Sequence, residues 1–182
     1  MGTFVLLFGL GRSPNLGQVL YEKHCTSCHY PGNDLRPPAP PLEEYRTTVK
    51  YVLKVMREGV PGSCMPTFDS LNDRERLAIA RFVAGMNAHT RIDTPPDLVK
   101  RGEKVYYDVC APCHGDDGSG KGFGNDVPPP PDFRLFNPLP ERTVEVLDNG
   151  IPGTAMYSFK EILSPEDKRA VALYLLTLFK EN

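Results

Sequence analysis

The 182-residue chain has no tryptophan and only four histidines. Hydrophobic residues make up 40% of it, below the usual share for a globular protein. Two domains of about 85 residues each would have thin cores on that composition, so something besides side chains has to fill them. A basic excess is also missing. The net charge of −2 excludes the strong basic footprint of a dedicated nucleic-acid binder, and no nucleic-acid partner is expected. No apolar run reaches the ~20 residues of a membrane-spanning helix. Thr3–Leu10 is apolar but short, with no basic region before it and no clear cleavage site after it. Residues 1–11 are therefore expected to be a signal remnant, the stub of an anchor or a hydrophobic tail for binding a complex. Strand-like alternation is lacking, which leaves helices as the predicted elements. The glycine-rich stretch Gly115–Gly124 lacks the Lys-Ser/Thr ending of a phosphate loop and follows no strand, so it reads as a surface loop.

What the chain does have is cysteine in a frame. Four of its five cysteines fall in Cys25-Thr26-Ser27-Cys28-His29 and Cys110-Ala111-Pro112-Cys113-His114. Cys-x-x-Cys-His is the attachment pattern of a c-type haem. Two thiols three positions apart can add to the two vinyl groups on one edge of a porphyrin, and the next residue sets an imidazole under the iron. The flanks match as well. Gly17 and Gly102 each stand eight residues before the first cysteine, and Tyr21 and Tyr106 four before it. Gly59-Val60-Pro61-Gly62-Ser63-Cys64-Met65 pairs with Gly150-Ile151-Pro152-Gly153-Thr154-Ala155-Met156. Phe68 and Phe159 then follow, and after them Leu71 and Leu163. One module of about 85 residues is used twice.

Thr94-Pro95-Pro96 breaks the helical periodicity between the copies. Residues 12–90 are predicted as the first domain, 91–97 as a linker and 98–182 as the second domain. Apolar residues at helical spacing run into each Cys-x-x-Cys-His. Middle helices are predicted over about 47–57 and 142–148. The last helix of the first module should open at Asn72 with Glu75 three positions on, an Asn variant of the capping box. That of the second should open at Ser164-Pro165.

These motifs resemble those of the class I cytochrome c family, as two modules in series covering nearly all of residues 13–182. The resemblance implies an all-α fold of two tandem cytochrome c-like domains, each with three main helices around a covalently bound haem. It implies two c-type haems attached through Cys25 and Cys28 and through Cys110 and Cys113. Their iron would be ligated by His29 and Met65 and by His114 and Met156. It also implies a proline carbonyl after each motif that orients the proximal histidine, with Pro40 or Pro130 in that role. A thioether suits reduced iron and, with histidine, favours electron transfer over substrate binding. Met56 and Met86, which lack methionine partners in the repeat, read as core residues. Tyr21, Tyr106, Phe68, Phe159, Phe82 and Tyr174 recur as pairs and read as haem walls or helix packing. His24 reads as a surface residue, and His89 lies near the linker.

Cys64 corresponds to Ala155 and reads as a small buried residue. The alternatives are a thiolate ligand to the first haem in place of Met65, which resembles di-haem thiosulfate dehydrogenases, and an intermolecular disulfide. A single Cys₄ zinc site would leave the histidines and the methionine motifs unexplained. A dithiol redox pair would need a βαβ pattern that is absent. Residues 1–96 carry 11 Lys/Arg and 9 Asp/Glu, whereas residues 97–182 carry 10 and 14, so the molecule is a charge dipole. The expected function is a di-haem electron carrier, not an enzyme, on the periplasmic side of a bacterium. Its expected partners are redox proteins: a quinol-oxidising complex, a dehydrogenase, an oxidase or a reductase. The alternatives are a cytochrome subunit held tightly in a membrane respiratory complex, and a sulfur-oxidising enzyme using Cys64.

Overall fold

A computed structural model describes residues 15–35, 37–88, 90–123 and 128–180. The first helix, α1 (Leu16–His24), opens on Asn15, whose side chain accepts the Gln18 N–H. It crosses α3 (Asp73–Gly85), which opens on the capping box of Asn72 and Glu75 that the sequence predicts. The crossing is close. A Cβ on Gly17 would lie 2.2 Å from the carbonyl oxygen of Ala78, so only glycine lets the two backbones touch. One turn later Tyr21 packs on Phe82, with ring centroids 5.3 Å apart at 51°.

The second copy repeats this geometry. α4 (Pro96–Val105) crosses α7 (Pro165–Leu178), which starts on the predicted Ser164 cap. A Cβ on Gly102 would lie 2.0 Å from the Ala170 carbonyl oxygen, and Tyr106 packs on Tyr174 at 5.3 Å and 49°. The middle helices are α2 (Val49–Glu58), packed on α3, and α6 (Pro140–Asn149), packed on α7. Both run to within two residues of the predicted spans. α6 starts earlier than expected because proline is well placed at a first helical position. Met56 and Leu147 are buried at corresponding points of the two cores, alongside Leu71 and Leu163. The fold is all-α in its main elements, as the resemblance implies.

Two features escape the sequence reading. α4 does not end at Val105. It passes through a π-turn at Tyr106–Cys110 into the short α5 (Ala111–His114), so the second pentapeptide closes a helix, whereas the first lies just after one. The other is a two-stranded antiparallel sheet of β1 (Tyr45–Thr47) and β2 (Phe136–Pro138), one strand from each module. Strands of three residues are too short to show an alternating pattern. The pairing sets Arg46 opposite Asn137. Tyr45 stacks on Phe136 at 4.3 Å and 7°, and Arg142 Nε donates to the Tyr45 hydroxyl at 3.2 Å. Asn137 is fully buried, and its Nδ2 donates to the carbonyls of Phe133 and Leu175 at 2.8 and 2.7 Å.

Gly102→Ala is expected to destabilise the protein by about 1–3 kcal/mol, since its methyl group overpacks a helix crossing that has no slack. Gly85, which has nothing within 4 Å of a built Cβ, is the control. Denaturant unfolding of the two variants should separate them, with Gly85→Ala close to the parent.

Candidate functional site

The turn after α1 positions the first pentapeptide. Cys25 N–H donates to Tyr21 O at 2.9 Å, and both Cys28 and His29 donate to Cys25 O, at 3.1 and 2.9 Å. The segment therefore coils tightly enough to bring two thiols and an imidazole to one place. In the second module the π-turn and α5 do the same work. The Tyr106 hydroxyl donates to Gly115 O at 2.6 Å, which ties the end of the motif back to the helix crossing.

All five thiols are free. Burial, reinforced by the neighbouring Cys28, pushes the Cys25 thiol up to about 11, and burial with Cys113 pushes Cys110 up to about 12. Reactive redox cysteines need the opposite shift, towards thiolate at neutral pH. No group of three or more His, Cys, Asp or Glu side chains comes together as a metal cage among the described residues.

Burial favours the neutral form of both His29 and His114. Burial pulls His29 below its ordinary value and pulls His114 down to about 4. His29 Nδ1 lies 2.8 Å from the Pro40 carbonyl oxygen. A carbonyl can only accept, so Nδ1 carries the proton and Nε2 keeps the lone pair needed to bind a metal. Pro40 thus takes the orienting role expected of it. Pro130 does not do so for His114: its carbonyl oxygen lies against Gly120, where a Cβ would sit 2.3 Å away. The His114 ring stacks instead on Phe133 at 4.7 Å and 23°, and its buried Nδ1 has no hydrogen-bond partner among the described residues. Two thiols and a neutral imidazole are a donor set that fits a covalently attached haem.

The glycine-rich loop is more ordered than a generic surface loop. Gly118 N–H donates to Gly115 O, Gly120 N–H to His114 O and Phe133 N–H to Gly118 O, at 2.8–3.0 Å. Gly115, Gly118 and Gly120 all have φ near +75°, a conformation glycine adopts without strain. The loop wraps the end of the second pentapeptide and holds the segment that carries Phe133. Gly124 lies outside the described residues.

The methionine loops are near copies. α2 and α6 both stop at a glycine with φ of +67°, Gly59 and Gly150. Val60 N–H donates to Met65 O at 3.2 Å and Ile151 N–H to Met156 O at 2.8 Å. Ser63 and Thr154 each accept the methionine N–H on their hydroxyl at 3.1 Å, and each donates that hydroxyl to the carbonyl three residues back at 2.8 Å. Phe68 and Phe159 close the loops onto Met56 O and Leu147 O at 2.8 and 2.7 Å. Cys64 is exposed, which corrects its reading as a buried residue. Ser63 and Met65 are half-buried and the residue between them is exposed, as Ala155 is in the other copy. His24 is half-buried at the end of α1, and His89 lies outside the described residues.

Comparison with known proteins agrees with this duplicated arrangement. The family described as cytochrome C oxidase, cbb3-type, subunit III matches residues 12–83 and again 97–175. A cbb3-type cytochrome c oxidase subunit FixP of Sinorhizobium medicae is 29% identical over 117 residues, covering 57% of this chain and 39% of that protein. The FixP subunit of Azorhizobium caulinodans is 22% identical over 174 residues, covering 89% of this chain and 58% of its own length. The chain thus spans about two to three fifths of these relatives. Among solved structures, a chain of the Kuenenia stuttgartiensis reducing HAO-like protein complex is similar over 92% of this chain and 97% of its own, with 20% identity and a TM-score of 0.44.

Ser63→Ala and Thr154→Val each remove the hydroxyl that holds a methionine N–H. Hydrogen exchange at Met65 or Met156 should then speed about fivefold in the altered loop only, the equivalent of one ordinary hydrogen bond.

Proposed function

The chain belongs to the cytochrome c oxidase, cbb3-type, subunit III family, and from that premise we propose that it is a di-haem c-type cytochrome that carries electrons. Membership implies covalently bound c-type haem. The observation that carries the number two is the duplicated site: each family segment contains its own Cys-x-x-Cys-His turn and its own methionine loop, with matching hydrogen bonds. We assign residues 12–90 and 98–182 to the two modules and 91–97 to the linker.

When bound, each haem supplies an iron that takes up and gives back one electron. The chain's own residues do the rest. Cys25 and Cys28, and Cys110 and Cys113, hold the group covalently. His29 and His114 present neutral imidazoles, the first fixed in one tautomer by Pro40. Met65 and Met156 would supply a thioether ligand to each iron, a ligand set that favours electron transfer over substrate binding. The matched hydrogen bonds around the two methionines support Met65 over Cys64 as ligand, because Cys64 shares the outward place of Ala155.

The working context follows from the relatives, which are named as oxidase subunits. The chain is proposed to work as, or beside, the cytochrome subunit of a membrane-bound terminal oxidase on the periplasmic face. Electrons would come from a redox protein and leave for the oxidase. The opposite net charges of the two halves suit docking to two different partners. No described helix is long and apolar enough to cross a membrane.

Spectra and mass of the purified, matured protein test the reading. Two low-spin haems per chain, each with a thioether-to-iron band, are expected. One maleimide should add per native chain, at Cys64, because the other four thiols are consumed as thioethers. One haem or none, or a first haem with thiolate character lost in Cys64→Ala, overturns it.

A further inference from the structure

Lys168 is buried, with 4% of its surface exposed, in the first turn of α7. That is an unfavourable place for a cation, since the helix dipole is positive there and burial strips the ammonium of water. The cost is met by two contacts. Nζ donates to Asp148 Oδ1 on α6 at 2.6 Å and to the Lys160 carbonyl at 3.2 Å. Ser158 Oγ adds a bond to the Asp148 carbonyl at 2.6 Å. Asp148 thus ties the start of the Met156 loop to its end, and Lys168 ties both to α7. Met156 lies inside the closed segment and packs against the module's core cluster.

The first module is built differently at the same places. Arg76 takes the position of Lys168 and donates to the Phe68 carbonyl at 3.0 Å, but its carboxylate partner is Asp73 of its own helix. Arg57 stands where the second module has Asp148, and Thr67 bonds Asp69 within the loop instead of reaching α2. The described core cluster of this module does not include Met65.

We infer that Lys168, held by Asp148, is a positioning residue for Met156: it locks the closing segment of that loop and so fixes the approach of the thioether in the second module only. The inference rests on the di-haem reading above. Its test uses the haem-loaded full chain, followed by the thioether-to-iron band, the two reduction potentials and an optical titration with imidazole, which competes with methionine for the iron. Lys168→Met should let imidazole displace the second-module methionine at about tenfold lower concentration, the lower end of what a charged hydrogen bond contributes. It should shift one potential and leave the other in place. Lys168→Arg should restore both readouts. Asp148→Asn, which keeps the shape of the strap, should act in the same direction and carries the test if Lys168→Met fails to mature. Native-like imidazole binding in these variants, or equal loosening of both sites, overturns the inference. A native protein with no thioether band overturns the di-haem His/Met reading itself.

Discussion

The contact between backbone and backbone at Gly17 and Gly102 sets the distance on which each module depends. With 2.2 and 2.0 Å from a built Cβ to the facing carbonyl oxygen, no other residue lets the first and last helices cross there. That crossing fixes Tyr21 and Tyr106 against Phe82 and Tyr174. Four residues on, it fixes where Cys25 and Cys110 leave or close their helices. The Cys-x-x-Cys-His segment is therefore aimed by a packing event about two turns away, and the methionine loops start where α2 and α6 end. A small apolar core suffices because its main task is to hold these directions while a prosthetic group supplies the missing bulk.

Much of this was legible in the sequence for a specific reason. Duplication turns weak signals into strong ones: a single glycine eight residues before a cysteine means little, but two such glycines with tyrosines in step mark a repeated module, though not the helix crossing they serve. The caps at Asn72 and Ser164 were readable because capping is local chemistry. The orienting carbonyl of Pro40 was readable only as one of two candidates, since the proline-rich loops differ in length between the copies. What stayed hidden was non-local or asymmetric. The π-turn at Tyr106–Cys110 leaves no mark in apolar spacing. The wrap at Gly115–Gly120 looked like part of a plain surface loop because its hydrogen bonds reach forward to Phe133. Cys64 was misread because alignment to an alanine suggests small and buried, whereas the turn before the methionine leaves that position exposed in both copies.

The copies have diverged where their surroundings differ. His29 has a carbonyl to hold its ring, and His114 has an aromatic face. α7 buries seven residues where α3 buries three, so the second module is the more enclosed. Burial accordingly depresses His114 to about 4 with no hydrogen bond to offset it, whereas the Pro40 bond partly offsets the effect at His29. Two segments built on one plan thus place their histidines in different surroundings, which in the di-haem reading proposed above would separate two potentials along a single chain.

The short sheet has a symmetry that the rest of the molecule hides. Tyr45–Thr47 and Phe136–Pro138 are the same segment of the two modules, each ending one residue before the cap of its middle helix. They pair antiparallel about Arg46 and Asn137, themselves equivalent positions. This is the geometry of a two-fold homodimer, in which one patch meets its own copy. Here the two copies are joined by the chain that runs through Thr94-Pro95-Pro96. An association that would depend on concentration between separate molecules becomes intramolecular. Freed from having to match itself, the patch carries a buried asparagine on one side and an arginine on the other.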